Sequence, residues 1–226
     1  MESSQQEKVV LLHGILRTTR HMRRVEGFLS SKGYRVLNLG YPSTRYKLEA
    51  LTDIAWADMQ AFITNDDSPL HFVGYSMGGL LARAIIQRHR PITLGRVVQL
   101  APPNQGSEVV DAFGEWRIYK YLFGPAGQQL GTRMRQDIAP LLGDVTYELG
   151  VIAGDRTLDP VSSFLIGGRN DGKVSLESTR VSGMRDHIVV HATHTFFPFN
   201  REVLEQTAYF LKSGRFATQY YHKAES

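Results

Sequence analysis

The sequence predicts an α/β fold on a mainly parallel sheet, and three observations carry that expectation. Short runs rich in Val, Ile and Leu alternate with longer segments whose apolar residues recur at helical spacing, the pattern of strands joined by crossover helices. The 226 residues are 42% hydrophobic, and a chain of this length buries roughly 70% of its unfolded surface without staples. A glycine-flanked serine, Ser76, stands where a strand run meets a helical stripe. One domain over residues 1–226 is expected, since no repeat, low-complexity segment or linker interrupts the pattern.

The elements follow in order. Val9–Leu12 reads as the first strand, ending at His13-Gly14. Met22, Val25, Phe28 and Leu29 recur at helical spacing until Gly33, placed to end a helix in the left-handed conformation. Tyr34–Leu39 is the second strand. Leu48, Leu51, Ala55, Met59, Phe62 and Ile63 mark a second helix, stopped by the turn cluster 65–69. Leu70–Val73 is the third strand. After Ser76, the stripe Leu80, Leu81, Ala84 and Ile85 forms a third helix, with Arg88, His89 and Arg90 in its last turn and Pro91 beyond. Val97–Leu100 is the fourth strand. From about 104 to 140 the alternation lapses into an aromatic-rich, lid-like insertion carrying Phe113, Trp116, Tyr119 and Phe123. Strands then resume at Val151–Ala153, Phe164–Ile166 and Ile188–Val190, before a last helix led by Asn200.

Composition narrows the chemistry. With 0 Cys, a disulfide framework, a thiolate nucleophile and sulfur-bound metal are excluded, so function rests on oxygen and nitrogen groups. Every hydrophobic run is interrupted well before the roughly 18–20 residues of a membrane span, and the polar start shows no signal-peptide pattern, so a cytoplasmic protein is expected. The net charge of +4 is too small to imply nucleic acid, and no nucleic-acid motif accompanies it. Arg17, Arg20, Arg23 and Arg24 read as a solvated basic helix face, with weak association to a membrane surface as the alternative.

The segment Gly74-Tyr75-Ser76-Met77-Gly78 has the strand–turn–helix setting of a nucleophile elbow. A sharp turn there presents the Ser76 hydroxyl at the sheet edge, beside the free N–H groups of a helix N-terminus. A serine hydroxyl is a weak nucleophile and needs a histidine base, itself oriented by an acid. Among 8 His, His194 follows a strand end and precedes the last helix, on the same edge as Ser76. His187 and His191 read as strand residues, and their spacing with His194 does not suit a metal site. Asp155, Asp159 and Asp171 compete as the acid; Asp171 is preferred because its turn follows the apolar run Phe164–Ile166. Backbone N–H groups of Ile15, after the His13-Gly14 turn, and of Met77 are the candidate oxyanion donors, with His13 structural. Leu16, Tyr75, Phe113 and Trp116 are candidate substrate contacts. No cofactor and no metal is expected.

These residues make the chain resemble the α/β-hydrolase superfamily, and within it the lipase-like members that include bacterial triacylglycerol lipases and GPI inositol-deacylase-like proteins. The resemblance rests on the His13-Gly14 turn, the Ser76 elbow followed by Gly79, the Ala101–Ser107 segment, the Asn170-Asp171-Gly172-Lys173-Val174 turn and Thr193-His194-Thr195. It implies a minimal α/β-hydrolase fold of six to seven strands with helices on both faces. It also implies a Ser76–His194–Asp171 triad, which favours Asp171 over Asp155. The expected activity is hydrolysis of carboxylic esters through an acyl-enzyme, on an ester or lipid small molecule. The alternatives are an acyltransferase using the same residues, or a non-catalytic lipid- or membrane-binding protein. Acyl chain length, oligomeric state and any structural calcium are not legible.

Overall fold

Six strands, all parallel, form one sheet: β1 (Lys8–Leu12), β2 (Arg35–Leu39), β3 (Leu70–Tyr75), β4 (Leu94–Leu100), β5 (Leu149–Gly154) and β6 (Asp186–Val190), in the order β2-β1-β3-β4-β5-β6. This is a computed structural model, and it describes residues 6–63, 67–114, 116–132, 135–158, 160–166 and 168–217. Asp159 and part of the 65–69 turn cluster lie outside the described residues.

Because the sheet is covered on both faces, its strands are apolar at nearly every position. Val10, Leu12, Phe72, Val97 and Val151 face one helical layer, while Val9, Leu11, Val73, Val98, Leu100 and Ile152 face the other. The first layer holds α2 (Leu48–Ile63) and α3 (Met77–His89); the second holds α1 (Thr19–Ser31) and α8 (Arg201–Ser213). Helix α3 is buried from Met77 to Ile86, pressed against β3, α2 and α6 (Arg135–Leu142). Each fully buried Leu, Ile or Phe here contributes about 1.5–3 kcal/mol relative to exposure. Helix α8 starts where Asn200 Oδ1 accepts from the N–H groups of Glu202 and Val203, at 2.8 and 3.2 Å, the cap its sequence predicts.

Two expectations change. The run Phe164–Ile166 is not a strand but the end of helix α7 (Pro160–Ile166), with Phe164 87% exposed. A side chain so exposed has no place in a sheet buried on both faces. The aromatic segment resolves into α4 (Glu108–Phe113), α5 (Arg117–Gln128) and α6, with α5 broken at Gly124 (φ +62°). There the chain passes against the Thr44 carbonyl, where a Cβ would collide, so only glycine fits.

Strand order places the site. The chain winds outward to β2 from β1, then returns across β1 to β3 and beyond, so the segments after β1 and β3 diverge. The crevice at the carboxyl ends of such strands is where α/β sheets bind ligands. Among the described residues, no helix is long and apolar enough to cross a membrane.

Candidate active site

Ser76 occupies the turn between β3 and α3 at φ +53°, ψ −124°, a conformation seldom adopted by a non-glycine residue. The surrounding packing holds it there: Ser76 N–H donates to the Leu100 carbonyl at 2.8 Å, and Gly79 N–H donates to the Ser76 carbonyl at 2.9 Å. Both flanking glycines are required by close approach. A Cβ on Gly74 would strike the Gly78 backbone, and one on Gly78 would strike the Leu12 and His13 carbonyls at the end of β1. The turn therefore tucks under β1 and lifts the Ser76 side chain toward the crevice.

His194 opens a 3-10 turn (His194–Phe199) after β6. Its Nε2 lies 3.1 Å from Ser76 Oγ and its Nδ1 2.7 Å from Asp171 Oδ2. With the proton on Nδ1 donated to Asp171, Nε2 is left to accept from the serine hydroxyl. Backbone contacts fix the ring as well: His194 N–H donates to the Asp171 carbonyl at 3.0 Å, and the Tyr75 hydroxyl donates to the His194 carbonyl at 2.8 Å.

Asp171 is buried, and its other oxygen, Oδ1, accepts the N–H groups of Lys173 and Val174 at 3.0 and 2.9 Å. Asn170 Oδ1 in turn accepts from Gly172 N–H at 2.9 Å, where Gly172 has φ +93°. So a loop turn, rather than a strand end, presents the carboxylate. The segment after β4 buckles that loop in place. Asn104 donates to the Thr179 carbonyl at 2.8 Å, and Gln105 N–H to the Ser178 carbonyl at 2.9 Å. The Ser107 hydroxyl donates to the Lys173 carbonyl at 3.0 Å, and Glu108 accepts from the Ser175 and Ser178 hydroxyls, each at 3.2 Å. Sequence reasoning saw the Pro-Pro-Asn-Gln-Gly-Ser motif but not this buckle.

The rival groups are engaged elsewhere. Asp155 pairs with His191 at 3.0 Å and with Arg169 at 2.5 Å, and His191 is 71% exposed. His187 bonds the Thr179 hydroxyl at 2.9 Å, and burial holds its pKa down to about 4. His13 stacks on Tyr41 with centroids 4.1 Å apart, its carbonyl takes the Tyr41 hydroxyl, and burial lowers its pKa, as befits a structural residue.

Ser76 and His194 lie in a cavity of about 190 Å³. Ile15, Leu16 and Tyr75 line it, with Val109, Val110, Phe123 and Leu130 forming its apolar wall. Of the four candidate substrate contacts, Leu16 and Tyr75 are there. Phe113 and Trp116 are not: their rings meet edge to face at 5.0 Å, and Trp116 is 58% exposed. Phe123, which the sequence placed only in the insertion, takes their position because the break at Gly124 ends the first half of α5 beside the cavity. The Tyr119 side chain lies outside the described part. Leu16 has φ +56°, so the chain bends sharply beside Ile15. Met77 heads α3, where its N–H has no carbonyl within the helix to meet. Among the described residues, no group of three or more His, Asp or Glu is placed to hold a metal ion.

Residues 8–139, more than half of the chain, match the family model described as palmitoyl protein thioesterase. The match includes Ser76 and ends before Asp171 and His194. No match emerges among curated protein sequences. Many solved structures share the fold, among them three examples of low identity. The mature lipase BlEst2 of Bacillus licheniformis is 18% identical, with TM-score 0.70 over 86% of this chain and 87% of that one. Phospholipase PlaB of Legionella pneumophila is 16% identical, with TM-score 0.64 over 77% of this chain and 46% of that one. The lin2722 product of Listeria innocua is 15% identical, with TM-score 0.61 over 95% and 96%.

Proposed function

The chain belongs to the palmitoyl protein thioesterase family, and from that premise we propose that it is a serine acyl hydrolase acting on carboxylic esters with short acyl chains. The observation that carries this reading is the continuous hydrogen-bonded line from Asp171 through His194 to Ser76 at an apolar cavity.

In the proposed reaction, Ser76 Oγ attacks the acyl carbonyl as His194 Nε2 takes its proton. Asp171 holds the imidazole in the tautomer that can accept, and stabilises the imidazolium once formed. The N–H groups of Met77 and Ile15 receive the developing oxyanion, aided by the positive end of α3. His194 then returns the proton to the leaving group, and water repeats the sequence to free the acid. A thioester passes through the same tetrahedral adduct, and the family match favours it as a second substrate class.

Cavity size bears on chain length. Sites that enclose drug-sized ligands measure about 300–1,000 Å³. The 190 Å³ here falls below that range, which favours a short acyl chain. We expect kcat/KM for p-nitrophenyl esters and for matched acyl thioesters to peak at short acyl chains and to fall for chains of about twelve carbons and beyond. A rising preference up to sixteen carbons would overturn the short-chain reading. Absence of turnover on both series, together with no labelling of Ser76 by a fluorophosphonate, would overturn the hydrolase reading.

The exposed surface supports delivery from a lipid interface. Of thirteen exposed large apolar side chains among the described residues, all but Ile92 and Tyr209 stand on segments that follow the carboxyl ends of strands. Trp116, Ile118 and Tyr121 alternate there with Arg117 and Lys120. Such a mixture suits an anionic membrane surface. Vesicles containing phosphatidylglycerol should sediment several-fold more protein than phosphatidylcholine alone, and Ile118→Asp with Tyr121→Asp should remove the difference. Equal sedimentation by both vesicles would remove this part of the reading.

A further inference from the structure

The cavity that holds Ser76 has cationic as well as apolar side chains in its lining. Arg17 and Lys173 both line it, and none of the lining residues is an Asp or Glu. Arg17 precedes α1 instead of lying on it, and its N–H donates to the Gly14 carbonyl at 3.2 Å, so its position is set by the turn after β1. Arg17 is half-buried, and no carboxylate among the described residues pairs with it. A guanidinium has five donors and stays charged, so an anion entering the cavity would find donors to meet it. Burying part of such a charge is costly without an anion to meet it. His21, packed 5.0 Å from the Tyr75 ring, does not add to the charge: burial first, and then the charge of Arg17, hold its pKa down to about 4.

Resting on the acyl-hydrolase reading, we infer that Arg17 is the anion-recognising residue of the leaving-group side, and that the substrate is an ester whose alcohol carries a phosphate or carboxylate a few bonds from the ester oxygen. The acyl chain lies along Val109, Val110 and Phe123, and the anionic alcohol points to Arg17. Proximity decides between two sources of such an anion. Arg17 and Ser76 line the same cavity of about 190 Å³, so the partner of Arg17 must lie within it, close to the reacting carbonyl. A phosphoglycerol ester meets that condition. The phosphate of an acyl-phosphopantetheine thioester, many bonds from its sulfur, does not.

The test is a matched pair of phenyl butyrates differing only by a ring carboxylate or a ring carboxamide. The wild-type protein should prefer the carboxylate, by a kcat/KM ratio of about tenfold, the scale of one charge-assisted hydrogen bond. That ratio should collapse toward one in Arg17→Gln, be largely kept in Arg17→Lys, and shrink as salt is raised. Butyryl-phosphoglycerol should show the same dependence on Arg17, and butyryl-phosphopantetheine should not. A measurement that needs no variant is inhibition of carboxamide-ester hydrolysis: butyl phosphate should compete far better than pentanol. If Arg17→Gln slows both phenyl esters equally and the ratio stands, Arg17 only positions Tyr75 and His194 and the inference falls while the hydrolase reading survives. If the wild-type protein cleaves neither ester, or cleaves them no faster than Ser76→Ala, the hydrolase reading itself falls.

Discussion

Ser76→Ala should lower kcat by about 10⁵-fold or more, on oxygen esters and thioesters alike, with the folded structure intact. The proposed reaction has no other route to an acyl-enzyme: among the described residues, Ser76 is the hydroxyl that meets His194 Nε2, at 3.1 Å. Alanine keeps the backbone bonds to Leu100 and Gly79, and the change removes one oxygen from a site already open to the cavity. Its effect on stability should stay within about 1 kcal/mol, since no packing partner is lost. His194→Ala should cost nearly as much, and the double variant little more than either, because nucleophile and base act as a unit. Steady-state kinetics and fluorophosphonate labelling check both points. A Ser76→Ala protein retaining a tenth of the native rate would end the assignment.

Why Ser76 could be found from sequence while its surroundings could not is a matter of range. The elbow is a local object: two glycines, a strand run and a helical stripe within about a dozen residues, each forced by a contact the structure now displays, Gly74 against Gly78 and Gly78 against the end of β1. The strands were legible for the same reason, as runs buried on both faces. Phe164–Ile166 misled because three apolar residues cannot separate a two-residue period from a 3.6-residue one, and only the tertiary structure shows Phe164 exposed. Asp171 was reached partly through that misread strand; in the structure it is held by its own loop and by the segment after β4, a contact between residues about 70 apart. The cavity wall was hidden further still. Aromatic content pointed to Phe113 and Trp116, but which side of α5 faces Ser76 depends on the break at Gly124 against Thr44. Arg17 was grouped with Arg20, Arg23 and Arg24 by proximity in sequence. The start of α1 at Thr19 divides them, leaving the three on an exposed face and Arg17 in the cavity.

Asp171→Asn should lower kcat by about 10³–10⁴-fold, whereas Asp155→Asn should change it less than about threefold. Among the described residues two Asp–His pairs close within 3.0 Å, Asp171–His194 and Asp155–His191, and their surroundings tell them apart. At Asp171, Oδ1 accepts two backbone N–H groups, from Lys173 and Val174, while Oδ2 faces His194 Nδ1. An asparagine there must keep its carbonyl oxygen toward those two donors, so its NH₂ turns to His194. Nδ1 is then obliged to accept, which puts the ring proton on Nε2, and an Nε2 carrying a proton cannot take one from Ser76. The isosteric change thus leaves the geometry and selects the wrong tautomer. At Asp155 the same substitution weakens contacts to an exposed His191 and to Arg169, groups outside the cavity, where exposed pairs are worth about 0–1 kcal/mol. Both variants should unfold within a few degrees of the native protein, and the kinetic contrast between them is the measurement. The reverse contrast, with Asp155→Asn the crippled protein, would move the acid to the other pair and His191 with it.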